Sequence, residues 1–171
     1  MVKPIEKSRF LSEDVLKSIR LWIPQMIKYR TQSERKKARR AKKALQLPYQ
    51  VIGSGLTRIV YDLCNGYVVK IAISRRGLES NKREDNVYSR CSSSTRAYLC
   101  PVVEYGYGWV IMKKIIRCEI LTEQDDVTLQ KLRRRFLKEK IIARSLRSKN
   151  LARLSNRLIV IDYGSFRFKE G

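Results

Sequence analysis

Between Ser12 and Tyr29 the apolar residues Val15, Leu16, Ile19, Trp22, Ile23, Met26 and Ile27 recur three and four apart, the spacing of one helical face. Ser12 is placed to cap this helix, and Glu13 and Asp14 fall in its first turn, where acids suit the helix dipole. Pro24 interrupts the pattern and, lacking an N–H donor, predicts a kink or a new helical start. A second, strongly basic helix follows to about Leu45, and Gln46-Leu47-Pro48 ends it. A domain boundary near Leu47 is expected, giving a basic helical extension over 1–47 and a second region over 48–171.

From Tyr49 to Ala72 two β-rich runs flank Asn65-Gly66, a turn pair that tolerates positive φ and predicts a hairpin. A two-residue loop there would put Val60 and Lys70 on opposite faces. A three-residue loop, Cys64-Asn65-Gly66 with Gly66 left-handed, sets them directly opposite each other, and this bulged form is predicted. A polar helix is expected at about Leu78 to Arg90. The runs "VVEY" and "WVIM" form a second hairpin around Gly106-Tyr107-Gly108. A longer basic helix is expected from about Asp126 to Ser145, and "RLIVIDYG" reads as a last apolar strand. The class is α+β.

Charge changes the picture most. The chain of 171 residues has 38 Lys and Arg against 16 Asp and Glu, a formal +22 with no histidine, so a polyanion or an acidic protein surface is the expected partner. The excess is clustered in "ERKKARRAKK" (34–43) and "KLRRRFLKEKIIARSLRSK" (131–149). Lys36, Lys37, Arg39 and Arg40 in the first cluster and Arg133, Arg134 and Arg135 in the second are the candidate polyanion contacts. Trp22, Tyr29 and Phe136 lie near these charges and would stack on bases if they are not core residues.

Cys64, Cys91, Cys100 and Cys118 contain no C-x-x-C pair, no histidine accompanies them, and no secretion signal opens the chain. Reduced thiols in a cytoplasm are expected. No apolar run approaches the roughly 18 residues of a membrane span.

The remaining chemistry lies in short motifs. "GSG" at Gly53 to Gly55, with Val60 five residues on and Lys70 ending the next strand, has the order of a phosphate-gripping hairpin. This order resembles the protein-kinase pattern G-x-G-x-x-G-x-V followed by V-A-I-K, except that Arg58 occupies the third glycine position. "NKREDNVY" then supplies Glu84 on the predicted helix, matching the kinase glutamate that pairs with the lysine; Glu79 and Asp85 fit less well. "ARSLRSKN" can be laid without a gap on H-R-D-L-x-x-x-N, so that Arg144, Leu146 and Asn150 match. Ala143 then stands at the histidine and Ser145 at the catalytic aspartate. Asp162 in "VIDYG" resembles the metal-holding Asp-Phe-Gly segment.

The resemblance covers about Tyr49 to Gly171 and implies a kinase-like N-lobe, an antiparallel sheet with one helix, joined to a reduced C-lobe. It extends to small kinase-like proteins encoded by bacteriophages, which would place the chain in a host cytoplasm. It further implies ATP and Mg²⁺ as ligands. Gly53 and Gly55 would meet the phosphates and Val60 the base, Glu84 would orient Lys70, and Asn150 with Asp162 would hold the metal. Backbone groups from Met112 to Lys114 would take the adenine edge. A serine at 145 cannot accept a substrate proton as an aspartate does, so catalysis is expected to be impaired and function to run through binding. Two rivals stand beside this reading: a nucleic-acid-directed regulator using its basic surface, and an active minimal phosphotransferase in which another group serves as base.

Overall fold

The computed structural model describes residues 4–29, 32–115, 123–155 and 157–169, leaving aside the side chains of Glu34, Glu123 and Gln124. It divides into two compact units, Met1–Asn81 with Val103–Lys114, and Lys82–Val102 with Ile115–Gly171.

The first unit opens with α1 (Glu13–Lys28), capped by the Ser12 side chain, which accepts from the Val15 N–H. The helix runs through Pro24 without ending there. Its stripe of Val15, Leu16, Ile19, Trp22, Ile23 and Met26 is buried. The second helix, α2 (Glu34–Leu45), stops at Gln46, which adopts a left-handed φ of 44°. Ala41 and Leu45 are its buried anchors, and most of its cations face outward.

Strands β1 (Gln50–Ser54), β2 (Arg58–Asp62), β3 (Tyr67–Ala72), β4 (Val102–Gly106) and β5 (Trp109–Lys113) form one sheet in the order β1-β2-β3-β5-β4. The helical stripe needs an apolar partner, and the sheet provides it: Ile19, Trp22 and Leu45 share one core with Ile59, Val69, Ile71 and Ile111. The core therefore runs across Leu47 rather than stopping there. Trp22 anchors α1 by donating its indole N–H to the Ala72 carbonyl at 2.9 Å. Gly108 lets the helix come close: its φ is +94°, and an added Cβ would sit 2.4 Å from Ile23 Cδ1.

Helix α3 (Arg75–Arg90) begins three residues earlier than its sequence pattern predicts, because Ser74 supplies a cap to the Gly77 N–H. In the second unit a short α4 (Ser93–Arg96) precedes α5 (Glu123–Lys138). The expected extension of α5 to Ser145 does not occur. The chain instead turns at Lys140, φ 58°, into β6 (Ile141–Ile142), and a 3₁₀ turn at Ser148–Asn150 leads to β7 (Leu151–Leu154), β8 (Arg157–Val160) and β9 (Arg167–Phe168). Here β7 pairs with β8 and β6 with β9. Phe136, Tyr163 and Phe166 pack at the centre, the two phenylalanines edge to face with centroids 5.3 Å apart.

Candidate functional site

The glycine hairpin lies in the first unit. Gly53 pairs with Val60 and Ser54 with Ile59, and the Gly55 N–H closes the turn on the Arg58 carbonyl at 3.0 Å. Neither Gly53 nor Gly55 has a left-handed φ. A Cβ at 53 would make only ordinary contact with Val60, and one at 55 would meet nothing within 4 Å. Neither conformation nor packing therefore demands glycine at these positions. Arg58 is no phosphate contact of this loop. It is 7% exposed, and its guanidinium donates to Asn81 Oδ1 at 3.2 Å, while Asn81 Nδ2 donates to the Lys70 carbonyl. The departure from glycine at 58 thus ties the base of the loop to α3.

The three-residue loop occurs as predicted. Leu63 N–H bonds to the Tyr67 carbonyl, Gly66 has φ 86°, and Val60 pairs with Lys70. Cys64 is left-handed as well, at φ 57°, held by its N–H donating to Asp62 Oδ1 at 2.9 Å. Lys70 is buried on β3, with Val110 of β5 on its other side. Along the expected adenine edge, the Lys114 N–H is already donated to the Gly66 carbonyl, so that group is not available to a base. The Lys114 ammonium bonds Asp62 at 2.6 Å and draws that carboxyl below its usual range.

The second unit brings three expected residues together on the segment Ile161–Tyr163. The Tyr163 N–H donates to the fully buried Glu84 carboxylate at 3.2 Å, and the Ile161 N–H donates to the Asn150 carbonyl at 2.8 Å. Asn150 Nδ2 donates to the Ser145 carbonyl at 2.7 Å, which fixes the amide so that Oδ1 is its oxygen face. Asp162 lies between these anchors, its Oδ1 accepting from the Gly164 N–H. Ser145 is exposed with a left-handed φ of 62°, a conformation uncommon outside glycine.

Tyr163 is a residue whose part in this arrangement the sequence reading did not see. Its ring is wholly buried, its hydroxyl donates to the Cys100 carbonyl at 2.7 Å, and burial pushes its ionisation well above the usual value. The available signal was an aromatic residue directly after the metal-type aspartate. Two expected base-stacking residues are corrected: Trp22 and Phe136 are core, 1% and 0% exposed. Tyr29 is half-buried beneath the Arg40 guanidinium, 4.2 Å from its ring centroid.

Of the predicted polyanion contacts, Lys36, Arg39, Arg40, Arg133 and Arg134 are exposed, and Lys37 and Arg135 are half-buried. Cys64, Cys91 and Cys100 form no disulfide; Cys118 lies outside the described residues. Among the described residues no group of three or more His, Cys, Asp or Glu side chains converges to hold a metal, and no helix is long and apolar enough to cross a membrane. An Asn–Asp pair of oxygen donors still suits Mg²⁺, which takes few protein ligands when phosphates and water supply the rest.

Neither protein-family profiles nor curated proteins give a match to the sequence. Solved structures do. The bifunctional kinase-methyltransferase WbdD superposes with a TM-score of 0.56 at 16% identity, over 72% of this chain and 35% of WbdD. A complex of APH(2'')-IIa with streptomycin and ATP superposes with a TM-score of 0.53 at 18% identity, over 80% of this chain and 72% of that protein. The chain thus spans about a third of the length of WbdD. At such identities the likeness is one of fold, and the fold is kinase-like.

Proposed function

We propose that this chain is a nucleotide-binding module of kinase-like fold that holds Mg-ATP, is impaired in phosphoryl transfer and acts by binding a partner. The observation carrying this reading is the polar web of the second unit, in which Asn150 is oriented by the Ser145 carbonyl and Asp162 is framed by backbone bonds to Asn150 and Glu84, while residue 145 has no carboxylate. Bound Mg-ATP would supply the electrophilic γ-phosphoryl group. Gly53 and Gly55, lacking side chains, would let phosphate oxygens come close to the loop, with the Lys70 ammonium as the donor. Asn150 Oδ1 and the Asp162 carboxylate would hold the metal. The Ser145 hydroxyl cannot take the proton of an attacking hydroxyl at neutral pH, so the chemical step lacks its base.

Thermal denaturation with nucleotide tests this. A ligand at a hundredfold its Kd adds about 2.7 kcal/mol to stability, so Mg-ATP should raise the Tm clearly. Asp162→Asn should lose most of the Mg²⁺-dependent part and keep the metal-free part. Phosphate release from ATP should be no faster for the parent than for Asp162→Asn. The absence of any Tm shift at millimolar Mg-ATP would refute the binding reading, and sustained turnover by the parent would replace it with that of an active phosphotransferase.

A second reading, that the basic surface grips a polyanion, is favoured by the outward cations of α2 and α5.

A further inference from the structure

The basic stripe of α5 borders a recess. Lys131, Arg134, Arg135 and Lys138 line one side of a cavity of about 500 Å³, entirely within the second unit, whose other side is the segment from Ser94 to Tyr98. Lys131 and Lys138 each lie three and four residues from the adjacent pair Arg134 and Arg135, so the four form one stripe about 10 Å long on the helix. Arg133, expected from sequence to belong with Arg134 and Arg135, does not line the cavity, whereas Lys131 and Lys138 do.

The row is costly by itself. Like charges at these spacings repel along a helix, and the helix dipole accounts only for those in the last turn, Arg135 and Lys138. The guanidinium of Arg135 is held in place by Ser94 Oγ at 3.3 Å and stacks 5.1 Å from the Tyr98 ring centroid. Arg157, from β8, lies 5.4 Å from the same ring. Among the described residues the single acid lining the cavity is Glu139. Burial alone would raise its ionisation, but hydrogen bonds from the Ser92 hydroxyl and N–H and the Arg135 charge bring it below the usual range, so one carboxylate stands against the four cations that line the cavity. An anion is what this cavity lacks.

We propose that the cavity between α5 and Ser94–Tyr98 binds the sugar-phosphate backbone of single-stranded nucleic acid. The inference rests on the polyanion reading and assigns it a site. A cationic row of about 10 Å is long enough to meet two neighbouring phosphates of one strand. Tyr98 beside the cationic row favours a single strand, whose bases are unpaired and can meet an aromatic side chain. Cations that track the backbone beside an arginine-stacked aromatic are a recurring arrangement for single strands.

The test uses the full chain and a fluorescent oligothymidylate of about sixteen nucleotides, with anisotropy read between about 50 and 200 mM salt. A duplex of the same length serves as competitor. Lys131→Gln with Lys138→Gln changes two exposed side chains, and far-UV circular dichroism checks that the fold survives. The double variant should bind severalfold more weakly, with the log–log salt slope smaller by about 1.4, the share of two single-strand phosphate contacts. Neutralising Lys36, Lys37, Arg39 and Arg40 together provides the comparison from α2. If that variant loses binding while the α5 variant keeps both affinity and slope, the site is overturned and the polyanion reading survives. A parent that binds no strand in a salt-dependent way overturns both. A duplex that competes better than the single strand also overturns the proposal.

Discussion

Two kinds of glycine behave differently in this chain, and substitution separates them. At Gly77 an added Cβ would lie 2.2 Å from the Thr57 carbonyl oxygen and 3.1 Å from Ala72, both held by backbone. Gly77→Ala should therefore cost about 1–3 kcal/mol in chemical denaturation, the price of overpacking. At Gly55 the same change meets open space, and stability should move by less than about 0.5 kcal/mol. Gly55→Ala should nonetheless weaken nucleotide binding if backbone at the loop tip meets phosphates. Equal nucleotide affinity in parent and Gly55→Ala would remove the loop from the site.

Strand ends supply the pH-sensitive feature. Asp62 ends β2, and the Lys114 ammonium, just past β5, reaches it across β3. The Lys114 hydrogen bond, then the Cys64 N–H, lower the Asp62 carboxyl below 3.8 against an opposing effect of burial. A carboxyl depressed by folding stabilises the native state above its unfolded pKa, and that contribution fades as pH falls through the depressed value. Asp62→Asn should accordingly be less stable than the parent at neutral pH, with the difference shrinking below about pH 4. Fluorescence of the buried Trp22 and Trp109 reports this unfolding directly. A difference constant from pH 7 to pH 2 would show that the pair contributes nothing.

For the whole molecule, Gly53, Gly55, Val60 and Lys70 belong to the first unit, and Glu84, Asn150 and Asp162 to the second. The resemblance implies that Glu84 orients Lys70 when nucleotide binds. In a double-mutant cycle on Mg-ATP affinity, Lys70→Met and Glu84→Gln should then couple by about 0.5–3 kcal/mol. Additive losses would mean that the two act separately, and Tm values for each variant guard against simple unfolding of the buried Glu84 site.

Local features of the sequence determined local geometry. Helical spacing gave α1 and its buried stripe, and the loop Cys64-Asn65-Gly66 gave the Val60–Lys70 register, because periodicity and turn chemistry act over a few neighbours. The kinase-type motif order was legible for the same reason. The end of α5 was not: no glycine or proline marks residues 139–140, and the apolar spacing continues through Ile141, Ile142 and Leu146, so only packing decides that the chain turns there. Tertiary structure also decided that Arg58 is a buried tie to Asn81, that Trp22 and Phe136 are core, that the helices before Leu47 share a core with the strands after it, and that Lys131 and Lys138 rather than Arg133 line the basic cavity. In each case the residue type was plain, but its role depends on which surface its side chain meets, and that surface comes from distant parts of the chain.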